Sequence, residues 1–142
     1  MDKKESQELT VAAKVDNLAA VNEFVESMLA GKEYSIRHKF QLDLVVEEIF
    51  VNIANYAYGD KEGMATIKAS LLAEPLSLQL QFIDGGTPYN PLETKGPDLT
   101  AGLEERTIGG LGIFLVKKNV DEISYQYAEG KNILSITKVM QE

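Results

Sequence analysis

The chain has 142 residues, 44% hydrophobic and 25% charged, the size and composition of one globular domain rather than a disordered or fibrous chain. Lys and Arg number 14 against 22 Asp and Glu, a formal charge of -8, the wrong sign for tracking a phosphate backbone or an anionic membrane surface. Cysteine is absent and His38 is the single histidine, which excludes disulfides, thiolate nucleophiles and histidine-rich zinc sites.

Taken in chain order, Thr10 to Val15 leans to β structure. Asp16 then stands where an N-cap would, ahead of Leu18, Val21, Phe24, Val25, Met28 and Leu29 at helical spacing. Gly31 ends that helix and Ser35 is placed to cap the next. There, apolar residues recur from Phe40 through Leu42, Val46, Ile49, Phe50 and Ile53 to Ala57, up to Gly59. Ala65 to Leu72 and Leu76 to Ile83 alternate with period two around Glu74-Pro75 and predict a hairpin. Asp84-Gly85-Gly86 breaks the second strand, and residues 87 to 109, holding Pro88, Pro91 and Pro97, predict a long loop, of a length usually found as a functional lid or a disordered segment. Gly109-Gly110-Leu111-Gly112 opens a helix running to Val120, and Ile123 to Tyr127 and Ile133 to Val139 form a last hairpin around Glu129-Gly130-Lys131.

This order does not alternate strand with helix. The expected class is therefore α+β, a two-layer sandwich with helices on one face of a mostly antiparallel sheet, and a parallel doubly wound sheet is excluded. A single domain spanning 1–142 is expected, with no membrane helix, since no apolar run nears the roughly 20 residues needed to span a bilayer. The opening MDKKESQELT has no apolar segment to serve as a signal peptide, and the expected location is cytoplasmic.

Three patterns carry chemistry. On a helix turning about 100° per residue, Glu48, Asn52 and Asn55 fall within about 60° of one another, away from the apolar arc. Such a stripe is either a solvated face or a site in which Asn52 offers an amide oxygen to a hard cation such as Mg²⁺ and Glu48 contacts a water or hydroxyl. Asp84-Gly85-Gly86-Thr87-Pro88 is either a turn made for its geometry or a site for adenine. In the second case the carboxylate accepts from the exocyclic amine and Gly86 admits a close approach of the ring. Gly110-Leu111-Gly112 at a helix start presents free N–H groups and a positive dipole end, suited to phosphate or merely to a flexible helix entry. Neither a Walker A loop nor GxGxxG fits, because no Lys-Ser or Lys-Thr follows the glycines and Leu115 takes the third glycine position.

Occurring in this order, these patterns resemble the Bergerat-fold ATPases, and within them the anti-sigma factor serine/threonine kinases of bacterial partner-switching systems. Glu48-Ile49-Phe50-Val51-Asn52 is similar to the family's N box and Asp84 to Pro91 to its G1 box. Gly110-Leu111-Gly112-Ile113, with Lys117 and Asp121-Glu122, is similar to the G2 region, and Gly130 to Leu134 to the final hairpin. The resemblance implies an ATP- and Mg-dependent protein kinase that phosphorylates an anti-sigma factor antagonist and binds a sigma factor or an analogous regulator, with homodimerisation possible. It implies Glu48 as the base, Asn52 for Mg²⁺, Asp84 and Gly86 at adenine, and Gly110 and Gly112 at the phosphates. A lid over about 92–107 is also implied, carrying Arg106 as a phosphate contact and loose without nucleotide. Asn132 stands nearest the position of the family's adenine-site Thr. Where many relatives have a basic residue and His after the N-box Asn, this chain has Asn55-Tyr56. The alternative is an ATP-gated regulatory binding module without phosphotransfer, against which Glu48 argues. His38 is expected to be a surface helix residue, and Tyr56 and Tyr58 to serve packing.

Overall fold

The computed structural model describes residues 5–93 and 110–141. Five strands pair antiparallel throughout in the order β1-β2-β3-β5-β4. They are β1 (Glu5–Ala12), β2 (Met64–Leu72), β3 (Ser77–Asp84), β4 (Glu122–Ala128) and β5 (Lys131–Val139). Among the described residues three α-helices, α1 (Leu18–Leu29), α2 (Ile36–Tyr56) and α3 (Gly110–Asn119), join this sheet around one apolar cluster. The expected α+β class and the antiparallel sheet are both found.

Alternation fixes which side of each strand meets the helices. In β3 the residues Leu78, Leu80, Phe82 and Asp84 are buried, and in β5 so are Asn132, Leu134, Ile136 and Lys138. The core face of both strands thus runs through aliphatic and aromatic side chains and changes to polar at the Asp84–Asn132 end, with Lys138 at the far end of β5. Val21, Val25, Met28 and Leu29 of α1, together with Leu42, Val46, Ile49, Phe50 and Ile53 of α2, complete the core, as the helical spacing predicted.

Where the structure departs from expectation, the reason is local. β1 begins five residues before the expected start because its backbone pairs with β2 all the way from Glu5↔Leu71 to Ala12↔Met64. Ser6, Glu8 and Thr10 point away from the core, so hydrophobic alternation hardly marks the strand's beginning. Asp16 does not cap α1. It lies inside a short 3₁₀ turn at Val15–Asn17, and Asn17, the residue before the helix, donates its amide N–H to Ala12 O at 2.9 Å. Ser35 caps α2 as predicted, its hydroxyl accepting from His38 N–H at 3.3 Å. His38 is more than a surface residue. Half-buried, its Nδ1 lies 2.9 Å from Val139 O and ties the first turn of α2 to the end of β5. Lys39 pairs with Asp43 within α2 at 2.8 Å and joins α2 to α1 through Glu26 at 3.2 Å.

Phe50 is fully buried on the inner face of α2. Phe50→Ala should destabilise the fold by about 3 to 5 kcal/mol through lost transfer energy and an unfilled cavity, read as a shift in the urea midpoint with an unchanged m-value.

Candidate functional site

The polar ends of β3 and β5 open into a cleft of about 530 Å³ that extends along α2 to the entry of α3. Its base is a cross-strand pair. Asp84 and Asn132 are direct register partners on the core face, and both are buried. A buried carboxylate is costly unless hydrogen bonded. Here Oδ1 of Asp84 accepts from Gly86 N–H at 2.9 Å and from Asn132 Nδ2 at 3.0 Å. No donor among the described residues reaches Oδ2. Since Asp84 lines the cleft, this oxygen is the acceptor left for a ligand donor.

Asn132, expected among the nucleotide contacts, spends its whole hydrogen-bonding capacity on the protein. Nδ2 also donates to Thr87 O at 2.9 Å, while Oδ1 accepts from Tyr89 N–H at 3.0 Å and from the Tyr125 hydroxyl. Its effect on a ligand therefore runs through Asp84 and the backbone that follows it. Burial pushes the Tyr125 phenol above its ordinary pKa, and the nearby Asp84 carboxylate adds to the rise. The hydroxyl stays protonated and keeps donating.

The turn after Asp84 rests on the C-terminal end of α2. Thr87 N–H donates to Ala57 O at 3.0 Å, and a Cβ at Gly86 would lie 2.1 Å from that same carbonyl oxygen. Within the fold, the missing side chain of Gly86 makes room for Ala57. At the other end of the cleft, half-buried Glu48 and Asn52 project from the middle of α2. A Cβ at Gly112 would come within 2.9 Å of Glu48 Oε2, so the first turn of α3 lies directly against the Glu48 carboxylate. Gly110 is the first residue of α3, which places the N-terminal end of that helix at this pole. Asn52 and Glu48 offer only oxygen to a cation here, a donor chemistry that suits Mg²⁺.

The structure thus brings Glu48, Asn52, Asp84, Gly112 and Asn132 to one cleft, with Gly86 packed against its wall. Arg106 and all but the beginning of the expected lid at 92–107 lie outside the described residues. Tyr56, expected to pack, is half-exposed and lines the cleft. Sequence reasoning missed Tyr125 and Ala57. The first is one of two alternating tyrosines in its strand, and the second acts through a backbone carbonyl that no side-chain pattern marks.

Comparison with known proteins follows the same lines. Residues 11–138 match the family described as histidine kinase-like ATPase domain. The serine/threonine-protein kinase BtrW of Bordetella bronchiseptica is 28% identical over 95% of this chain and 93% of its own length. The serine-protein kinase RsbW of Bacillus mycoides is 26% identical over 99% of this chain and 89% of its own. A solved structure of the RsbU and RsbW domains of a Mycobacterium tuberculosis protein superposes with a TM-score of 0.66 at 14% identity. That match covers 96% of this chain and 32% of the solved one, and it shows the shared fold.

The two glycine contacts predict opposite outcomes. Gly86→Ala sets a Cβ against a backbone carbonyl that cannot retreat and should cost about 1 to 3 kcal/mol of stability. Gly112→Ala meets only the end of the Glu48 side chain, and alanine favours the helix by up to about 1 kcal/mol, so its stability should hold or rise while the carboxylate is displaced. Thermal denaturation of both variants beside the parent measures the difference.

Proposed function

This chain belongs to the histidine kinase-like ATPase domain family, and we propose that it is an ATP- and Mg²⁺-dependent protein serine/threonine kinase of a bacterial partner-switching system. It would phosphorylate an anti-sigma factor antagonist and bind a sigma factor or an analogous regulator. The names of the curated relatives, serine- and serine/threonine-protein kinases, support the activity. The observation that carries the reading is the approach of Gly112 to Glu48 at the opposite end of the cleft from Asp84. A carboxylate held at a helix N-terminal entry, one turn before Asn52, is where a base must stand to meet a hydroxyl approaching a terminal phosphate.

In this reading Asp84 Oδ2 accepts from the adenine amine, and the first turn of α3 faces the phosphates with its free N–H groups. Asn52 contributes its amide oxygen to Mg²⁺, which when bound neutralises charge on the phosphate oxygens. Glu48 orients the incoming Ser or Thr hydroxyl and takes its proton as the oxygen attacks in line, and ADP leaves. Glu48 on α2 and Ala57, its C-cap, are nine residues apart, about 13 Å along the helix axis at 1.5 Å per residue. A single rigid element therefore spaces the transfer end from the base-recognition end. The expected lid over 92–107, with Arg106 as a phosphate contact, belongs to this proposal.

Two substitutions separate binding from transfer. Asp84→Ala should weaken ATP binding by about 1 to 3 kcal/mol, the worth of a buried donor left unpaired, as measured by isothermal titration. Glu48→Gln keeps shape but not basicity. It should leave ATP affinity in place and reduce phosphorylation of the antagonist by roughly 10²- to 10⁴-fold, assayed with radiolabelled ATP and a candidate anti-sigma factor antagonist. A parent protein that transfers no phosphate yet binds that partner only with ATP would instead be a nucleotide-gated binding module.

A further inference from the structure

Tyr58 follows α2 by two residues, half-buried against the edge of the core. Its hydroxyl is used twice. It accepts from Gly85 N–H at 2.7 Å and donates to Met64 O at 2.5 Å. Met64 begins β2, and its neighbour Ala65 is the register partner of Asp84. The phenol therefore bridges the backbone just after Asp84 to the strand beside it. The ring is seated with equal definition, because a Cβ at Gly63 would lie 2.2 Å from Cε1 and Cζ of Tyr58. Only glycine leaves space there for the aromatic ring.

Asp84 is consequently held from two sides. Asn132 on β5 holds the carboxylate itself, whereas on the β2 side Tyr58 holds the residue that follows it. Gly86 N–H, the second donor to Oδ1, belongs to this same short turn. Releasing Gly85 would loosen that donor and let the carboxylate rotate. Resting on the reading of Asp84 as the adenine acceptor, we propose that Tyr58 is a positioning residue for base recognition: its hydroxyl fixes the Asp84–Gly86 turn so that Oδ2 stays aimed at the exocyclic amine.

The role separates from packing because it concerns one ligand atom. Inosine triphosphate replaces the amine with a carbonyl oxygen and gains nothing from an aimed carboxylate. Isothermal titration of the parent, Tyr58→Phe and Asp84→Ala with ATP and with inosine triphosphate gives the test. The parent should prefer ATP and Asp84→Ala should lose the preference. Tyr58→Phe should bind ATP roughly threefold to tenfold more weakly, the loss of one net hydrogen bond, with its affinity for inosine triphosphate unchanged. In the kinase assay the same variant should raise KM for ATP and keep kcat.

A parent that binds both nucleotides alike overturns the role of Asp84 and this proposal with it. A parent that prefers ATP, alongside a Tyr58→Phe variant equally selective or weakened for both nucleotides alike, overturns the role of Tyr58 alone. Amide exchange at Gly85 provides a check on the parent that needs no variant to fold. Protection is expected, and exchange at the rate of an unpaired amide overturns the proposal.

Discussion

The pairing of Asp84 with Asn132 is the constraint on which the site depends. Two polar side chains face each other across β3 and β5, at the end of strands whose inner face between them and Lys138 is apolar. A one-residue slip of either strand would send its member of the pair to the opposite face and put inward-facing Leu80 or Leu134 outside. Core packing and site geometry are thus enforced by the same register. The apolar residues hold the strands in phase and the polar pair occupies the position that phase provides. Because the amide of Asn132 is fully engaged, the carboxylate next to it has few ways to turn.

α2 carries the second constraint. Its buried face belongs to the core, its middle bears Glu48 and Asn52, and the Ala57 carbonyl just past its end supports the turn that follows Asp84. A shift of this helix along its axis would move both ends of the cleft together. The ties at its start, Ser35 to His38 N–H and His38 to Val139 O, resist such a shift. Residues about 30 Å from Ala57 along the helix, at about 1.5 Å per residue from Ile36, thereby bear on where the turn after Asp84 is held.

Much of this is legible in the sequence because its signals are periodic or local. The apolar spacing of α1 and α2, the alternation of β2, β3 and β5, and the Ser35 cap each follow from side chains within a few residues of one another. Glu48, Asn52 and Asp84 stand out because their types suit a phosphate-transfer site at the spacing observed. The remainder is set by contacts distant in the chain. The length of β1 comes from a partner strand more than fifty residues away, and its outward polar residues conceal it. The Gly86 contact is with a backbone carbonyl, and Asn132 reveals its full engagement only once the Tyr89 amide and the Tyr125 hydroxyl are seen at its oxygen. Tyr58 reads as packing because its ring does pack, while its hydroxyl bonds to residues on two separate segments.

The strand order also bears on how the protein is made. β5 comes last among the strands in sequence but sits inside the sheet, between β3 and β4. A nascent chain that has emerged only as far as α3 therefore carries Asp84 with neither its amide partner nor the strand that covers the edge of β3. Contacts between distant parts of the chain slow folding, and an uncovered strand edge invites pairing with other chains. The cleft therefore cannot be complete before the final hairpin has been made, and a chain interrupted ahead of that hairpin leaves the edge of β3 uncovered.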